Sequence, residues 1–266
     1  MCRFELPAVI VVAWLTTGIP LAAQGANIGV GDHHILNLSG EIKHGDAKHM
    51  ASLIAQEPAI HFLDINSLGG DLIEAMNIGD LVRGLHVPVY VAKGGYCISA
   101  CFFVILEGQQ RVFSTAFEDG TLPPQTWRKK EFGVIGIHRP NLKSHSGDIS
   151  ATKKQEDMMR KVRSYLASKA VPQHLIDEMM ARPSNDIYWL KESDAQLIGE
   201  YNPGDEEALI ARCGYKRFRQ RHAENWTEER EDRLNTCLIE YWIKHYDPLQ
   251  QQFIEKLRTG WRPWKN

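Results

Sequence analysis

Apolar and polar positions along the chain fall into short blocks whose period switches between two and three to four. Ile35-Leu36-Asn37-Leu38-Ser39-Gly40 predicts a short strand closed by a glycine turn. From Asp46 to Gln56, Met50, Leu53 and Ile54 share a helical face, with Asp46 placed as a cap. Ile60 to Ile65 predicts a second, half-buried strand that Gly69-Gly70 breaks, and Leu72, Met76, Ile78, Leu81 and Val82 then form a helical stripe. Val87 to Val91 predicts a third strand, ended by Gly94-Gly95. Ile98 to Leu106 has no polar face, which predicts a helix buried all round. Val134 to Ile137 reads as a strand, and 152–170 and 173–181 as two helices parted by Pro172. Asp186 to Leu190 is a short extended piece before a small helix ending at Gly199. Strand, crossover helix and strand in succession argue for parallel pairing in an α/β domain.

Three segments break this rhythm. Leu6 to Ala23 is almost free of charge, with Val9 to Leu15 at its centre and small residues at Ala22, Ala23, Gly25 and Ala26. This predicts a cleaved export signal over 1–26, with an uncleaved membrane anchor as the alternative. Residues 114–132 carry Glu118-Asp119-Gly120, Pro123-Pro124 and Arg128-Lys129-Lys130, which predicts a solvent-facing loop. Beyond Tyr201 the pattern is helical without strands, and four of the seven tryptophans fall in the last 41 residues. The expected organisation is therefore a signal (1–26), an α/β domain (27–202) and a helical C-terminal appendage (203–266).

Charge and cysteine count narrow the function. Thirty-one Lys+Arg against 33 Asp+Glu give a net charge of −2, which argues against nucleic acid as a partner. Arg212, Lys216, Arg217, Arg219 and Arg221 do cluster, but Glu224, Glu228, Glu229, Glu231 and Asp232 follow, so a solvated charged surface is expected. Removing 1–26 leaves Cys97, Cys101, Cys213 and Cys237, an even set suited to an oxidising compartment. Proximity favours a Cys213–Cys237 disulfide, and leaves Cys97 and Cys101 as either a second bridge or two buried thiols. His33, His34, His44 and His49 lack metal-ligand spacing and read as surface residues, so no metal is expected.

Candidate chemistry sits in three places. Asn66-Ser67-Leu68-Gly69-Gly70 follows a predicted strand, where two glycines permit a sharp turn with outward amides. Gly95-Tyr96-Cys97-Ile98-Ser99-Ala100-Cys101 sets a serine at a helix start, and a helix amino terminus favours developing negative charge. Gly136-Ile137-His138-Arg139-Pro140 places an imidazole after an apolar strand. Taken singly, each has a plainer reading as a turn, an N-cap or a structural histidine.

In combination they resemble the Clp protease proteolytic subunit, within the wider Clp-protease/crotonase fold. That family has Asn-Ser-Pro-Gly-Gly where this chain has Asn66-Ser67-Leu68-Gly69-Gly70. Its nucleophilic serine lies 29 residues after the second glycine, the interval from Gly70 to Ser99, and a later glycine matches Gly108. Its base sits in Ile-His-Gln-Pro, matched by Ile137-His138-Arg139-Pro140, and Leu38-Ser39-Gly40-Glu41-Ile42 resembles its first strand and turn. The resemblance covers about residues 35–200, and the Gly-x-Cys-x-Ser-Ala-Cys form is most similar to exported Clp-like proteins lacking an unfoldase. It implies a repeated β/β/α core.

The resemblance implies an extracytoplasmic, ATP-independent serine hydrolase, first of all a peptidase, with Ser99 as nucleophile and His138 as base. Asp186, 48 residues after His138, is the implied third member, with Asp194 as fallback. Gly70 and Ala100 would supply oxyanion amides. No cofactor, metal, nucleotide or ATPase partner is implied, and a homo-oligomer is compatible with it. Two departures stand out: Leu68 replaces proline, and the 39 residues from Ser99 to His138 make 114–132 look like an insertion near the site. A non-catalytic binding or assembly module that keeps the fold is the alternative reading. A crotonase-like acyl-CoA enzyme is disfavoured, because export removes the chain from that cofactor.

Overall fold

A computed structural model describes residues 25–116, 133–140, 149–217 and 226–264. The expected signal, apart from Gly25 and Ala26, lies outside these residues, as do 117–132 of the expected loop and Arg219 and Arg221 of the basic cluster. The described residues form one mixed α/β structure with helices gathered at the C-terminal end. Strands β1 (Asn27–Val30), β2 (Ile35–Ile42), β3 (Phe62–Gly70), β4 (Val89–Val91), β5 (Tyr96–Ile98), β6 (Arg111–Val112), β7 (Val134–Ile137) and β8 (Tyr188–Trp189) make one sheet. The main path runs β1-β2-β3-β5-β7-β8, with β4 and β6 branching from β3. Strands β2, β3, β5 and β7 are mutually parallel, while β1 and β8 close the two ends antiparallel.

Strand β3 organises the sheet. Leu63, Ile65 and Ser67 alternate inward with no exposure, as a period of two demands. Its first half pairs with β4 through Leu63, Asp64 and Ile65, and its second half meets β5 at Ser67–Cys97. The strand therefore splits the sheet, and the split falls on the Asn66-to-Gly70 motif. The glycine pair does not break the strand as its sequence predicts. A bulge sets Ser67 and Leu68 of β3 opposite the single Gly40 of β2, which has a φ of +91°, and the shifted ladder continues as Glu41–Gly69 and Ile42–Gly70.

Helices α1 (Asp46–Ile54), α2 (Leu72–Leu85) and α3 (Cys101–Ile105) pack on this sheet. Asp71 caps α2 by accepting from the Glu74 amide at 3.0 Å. The helix expected over 98–106 is shorter because the ladder of β5 with β7 takes Ile98, paired with Gly136. All five residues of α3 are buried, as its uniformly apolar sequence requires.

Behind α3, Glu107 is a buried hub whose side chain is 1% exposed. It accepts from Lys169 Nζ at 2.7 Å, from Arg83 at 3.2 Å and from the Tyr165 hydroxyl, tying α2 and α3 to α4 (Ile149–Ser168). Burial and the adjacent carboxylate push the Tyr165 phenol far above its ordinary pKa. Glu107→Ala should destabilise by about 3 kcal/mol, because it strands Lys169 and Tyr165 without their acceptor. Urea unfolding checks this, and Glu107→Gln should lose less.

The remaining helices are α5 (Gln173–Ala181), α6 (Glu192–Ile198), α7 (Pro203–Cys213), α8 (Glu228–His245) and α9 (Asp247–Arg258). A small cluster of Tyr201, Leu209, Tyr215, Leu234 and Leu238 joins α7 to α8, and the Cys213 and Cys237 sulfurs lie at bonding distance, 2.06 Å, beside it. Helix α9 returns to the main core through Ile254 and Leu257. Its Gln250 side chain accepts from the Ile60 amide and donates to the Ile60 and Leu85 carbonyls at 2.8–3.0 Å. Gly84 makes room for Phe253, whose ring would stand 2.1 Å from any Cβ there. No helix among the described residues is long and apolar enough to cross a membrane.

Candidate active site

The carboxyl ends of β2, β3, β5 and β7 converge on a cavity of about 590 Å³. Crevices at that end of parallel strands are where α/β sheets receive ligands, because the connecting loops diverge there. Glu41, Lys43 and His44 come from the end of β2, Asp71 and Ile73 from the start of α2, and Ser99 and Ala100 from the turn after β5. His138 and Pro140 follow β7, and Met158 reaches in from α4.

Ser99 occupies a strained turn. Its φ is +57°, a left-handed conformation that costs a non-glycine residue about 1–2 kcal/mol. The Ser99 amide donates to the Gly136 carbonyl at 2.9 Å, so the strand β7 that carries His138 also anchors the serine. Gly69 lies against the turn from the other side. A Cβ on Gly69 would stand 2.5 Å from the Ile98 oxygen, 2.7 Å from the Ala100 nitrogen and 2.8 Å from the Ser99 Cβ. The glycine is thus required by close approach as well as by its φ of +87°.

The neighbouring motif residues hold this arrangement. Ser67 donates from Oγ to the Gly40 carbonyl at 2.6 Å and accepts from the Gly69 amide at 3.0 Å, clamping the bulged ladder. Asn66 accepts from the Tyr96 amide at 3.2 Å and so fixes the entry to β5. Leu68, at the departure from proline, is 57% exposed and takes no part in that clamp. Among the described residues the Ala100 amide has no hydrogen-bond acceptor, although Ala100 is buried and lines the cavity. Helix α3 is only five residues long, so its contribution is this free amide rather than an extended dipole.

No family model matches the chain, and no curated protein matches it. Among solved structures, a ClpP1 mutant from Listeria monocytogenes is similar. The likeness covers 65% of this chain and 94% of that one, at 20% identity and a TM-score of 0.42.

Ser99 and His138 are thus brought to one cavity, together with Gly70 and Ala100. Ser99 and His138 share no hydrogen bond. The imidazole Nδ1 instead lies 3.0 Å from the Arg139 carbonyl oxygen, which can only accept. That partner sets the tautomer with the proton on Nδ1 and leaves Nε2 able to receive one. Asp186 is not brought to His138. Its carboxylate accepts from Arg182 Nη1 at 3.1 and 3.2 Å, and is about half exposed. The Arg182 carbonyl in turn accepts from the Arg139 amide at 2.9 Å, so among the described residues Asp186 meets the histidine segment only through Arg182. Asp194 accepts from Tyr188, His174 and the Lys191 amide, which spends it on capping α6.

Asp186→Asn should therefore change reaction at Ser99 by less than about fivefold, since exposed ion pairs are worth about 1 kcal/mol or less. Matched rate measurements on the variant and wild type decide it; a hundredfold loss would return Asp186 to the mechanism.

His44, expected at the surface, is 95% exposed, and it also stands on the cavity rim with Nδ1 3.4 Å from Glu74, which the sequence reading did not anticipate. Its position just after a predicted strand was the available signal, since the ends of neighbouring parallel strands meet. Asp71 and Met158 carry no comparable mark.

Proposed function

We propose that the chain is an ATP-independent serine hydrolase working outside the cytoplasm, with Ser99 as nucleophile and His138 as base. One observation carries this reading: a left-handed serine at a strand-to-helix turn, opening on a cavity shared with a histidine. Strained turns of that kind hold nucleophilic serines in α/β hydrolases, an analogy of local geometry. In the reaction, Ser99 Oγ attacks the substrate carbonyl while His138 Nε2 takes its proton. The Nδ1–H bond to the Arg139 carbonyl keeps the ring in the productive tautomer. The Gly70 and Ala100 amides would receive the oxyanion. Collapse expels the leaving group, which takes the proton from His138, and water then releases the acyl group by the reverse proton path.

A backbone carbonyl stabilises imidazolium less than a buried carboxylate does, so turnover should be modest. Peptides are the first substrate class to try, on the strength of the motif resemblance, and activated esters the second. The two paired cysteine sets support an oxidising location. Purified protein should hydrolyse fluorogenic peptides or nitrophenyl esters, and Ser99→Ala should lose the activity while keeping its circular dichroism spectrum. Activity unchanged in that variant would move the chemistry elsewhere. Folded wild type inert to both substrate classes would favour the binding or assembly module, a reading to which the missing Ser99–His138 hydrogen bond lends weight.

A further inference from the structure

We infer that Cys97 and Cys101 are positioning residues for Ser99, their disulfide holding the serine in its left-handed conformation so that its reactivity depends on oxidation. The consequence for reactivity rests on the hydrolase reading above; the consequence for the backbone does not.

The two sulfurs lie at bonding distance, and the Cα atoms are 5.2 Å apart across four residue steps. An extended chain of four steps would span about 13 Å. The chain must therefore reverse between the two cysteines, and Ser99 stands at the midpoint. Cys97 is fixed in the sheet, paired with Ser67 on one side and Ile135 on the other. Cys101 is the first residue of α3. The bond thus ties the end of a strand to the start of a helix over the one residue that departs from ordinary backbone geometry.

The other restraints on Ser99 are few. Its amide is held by the Gly136 carbonyl, and its own carbonyl accepts from the Phe102 amide at 3.0 Å. Gly69 leaves room for the turn without forcing it. A left-handed serine persists only where its surroundings over-determine it. With the disulfide open, Ala100 and Cys101 are free to unwind the short α3, and Ser99 is free to return to a right-handed or extended form.

Both cysteines have zero exposure. A reductant reaches the bond only through local opening, so the bond is set when the protein folds and is no rapid switch. Its reduction breaks one S–S bond and takes two electrons and two protons from a dithiol, which itself closes to a disulfide. A chain folded under a reducing dithiol would then be assembled with a slack serine.

The test compares full-length wild type with Cys97→Ala/Cys101→Ala, which keeps the Cys213–Cys237 pair. Wild type refolded under dithiothreitol, then reoxidised, gives a second route to the same contrast. Fluorophosphonate labelling at Ser99 should be about tenfold slower in the variant and in the reduced protein, and reoxidation should restore it. The NMR amide–Hα coupling and carbon shifts of Ser99 should report a positive φ only in the oxidised form. Equal labelling rates with and without the bond, or a left-handed Ser99 in both forms, would overturn the inference. So would loss of the folded spectrum in both reduced forms, which would assign the bond to the fold as a whole. Oxidised wild type that is not labelled at all would end the hydrolase reading, and the NMR contrast alone would then decide the role of the cysteines.

Discussion

Replacing His138 by alanine is expected to slow covalent reaction at Ser99 about 10³-fold while leaving the protein folded. An unassisted serine hydroxyl is a poor nucleophile at neutral pH, and His138 is the imidazole that follows β7 into the same cavity. Among the described residues its one hydrogen-bond partner is the carbonyl of its own neighbour, Arg139, so truncation strands no distant polar group there. The segment is held independently by the bond from the Arg139 amide to Arg182. Stability should therefore move little, and millimolar imidazole should restore part of the rate. A loss smaller than tenfold would remove His138 from the role of base. His44, which lines the same cavity, would then be the next residue to vary.

Gly69→Ala carries the second large effect, on activity and stability together. Two costs coincide: a positive φ, and a Cβ within 2.8 Å of three atoms of the Ile98-Ser99-Ala100 turn. All three belong to backbone or to a Cβ, so no flexible side chain can swing away. The turn itself must shift, and with it both the serine and the free Ala100 amide. A loss of about 3 kcal/mol in stability and at least about 10²-fold in labelling is expected. Gly214→Ala separates the two costs, because Gly214 has a φ of +64° with open space around it. That control should lose only about 1 kcal/mol and keep full labelling. Equal behaviour of the two variants would mean that the close approach at Gly69 does no positioning.

Much of this arrangement was legible because local pattern and tertiary demand agree. Strand β7 and helices α2, α4 and α5 fall where hydrophobic periodicity puts them, since each buries one continuous face or run. The elements misjudged are those that a distant partner decides. Ile98 belongs to a strand because Gly136 pairs with it, and Gly69-Gly70 extends β3 because a bulge at Ser67-Leu68, opposite Gly40, keeps it paired with β2. Neither partner is visible in a local window. Strands β1 and β6, of four and two residues, are too short to show a period.

At the site, the sequence pointed to Ser99 and His138 because both follow strands, and strand ends gather in a parallel sheet. Asp186 was chosen by interval from a family pattern, which carries no information about what its carboxylate meets; Arg182, four residues earlier, meets it. The roles of Asn66 and Ser67 as clamps were hidden for a different reason. Each bonds a backbone group 27 to 30 residues away, and side-chain-to-backbone bonds leave no signature in composition or spacing.

The central claim is that Ser99 is an activated nucleophile, and intact-mass and peptide mass spectrometry after exposure to a fluorophosphonate tests it most directly. The account predicts a single adduct on oxidised wild type, mapped to Ser99, and none on folded Ser99→Ala. Wild type that stays unlabelled while folded, across pH 6 to about 9 and with probes of different size, would contradict it.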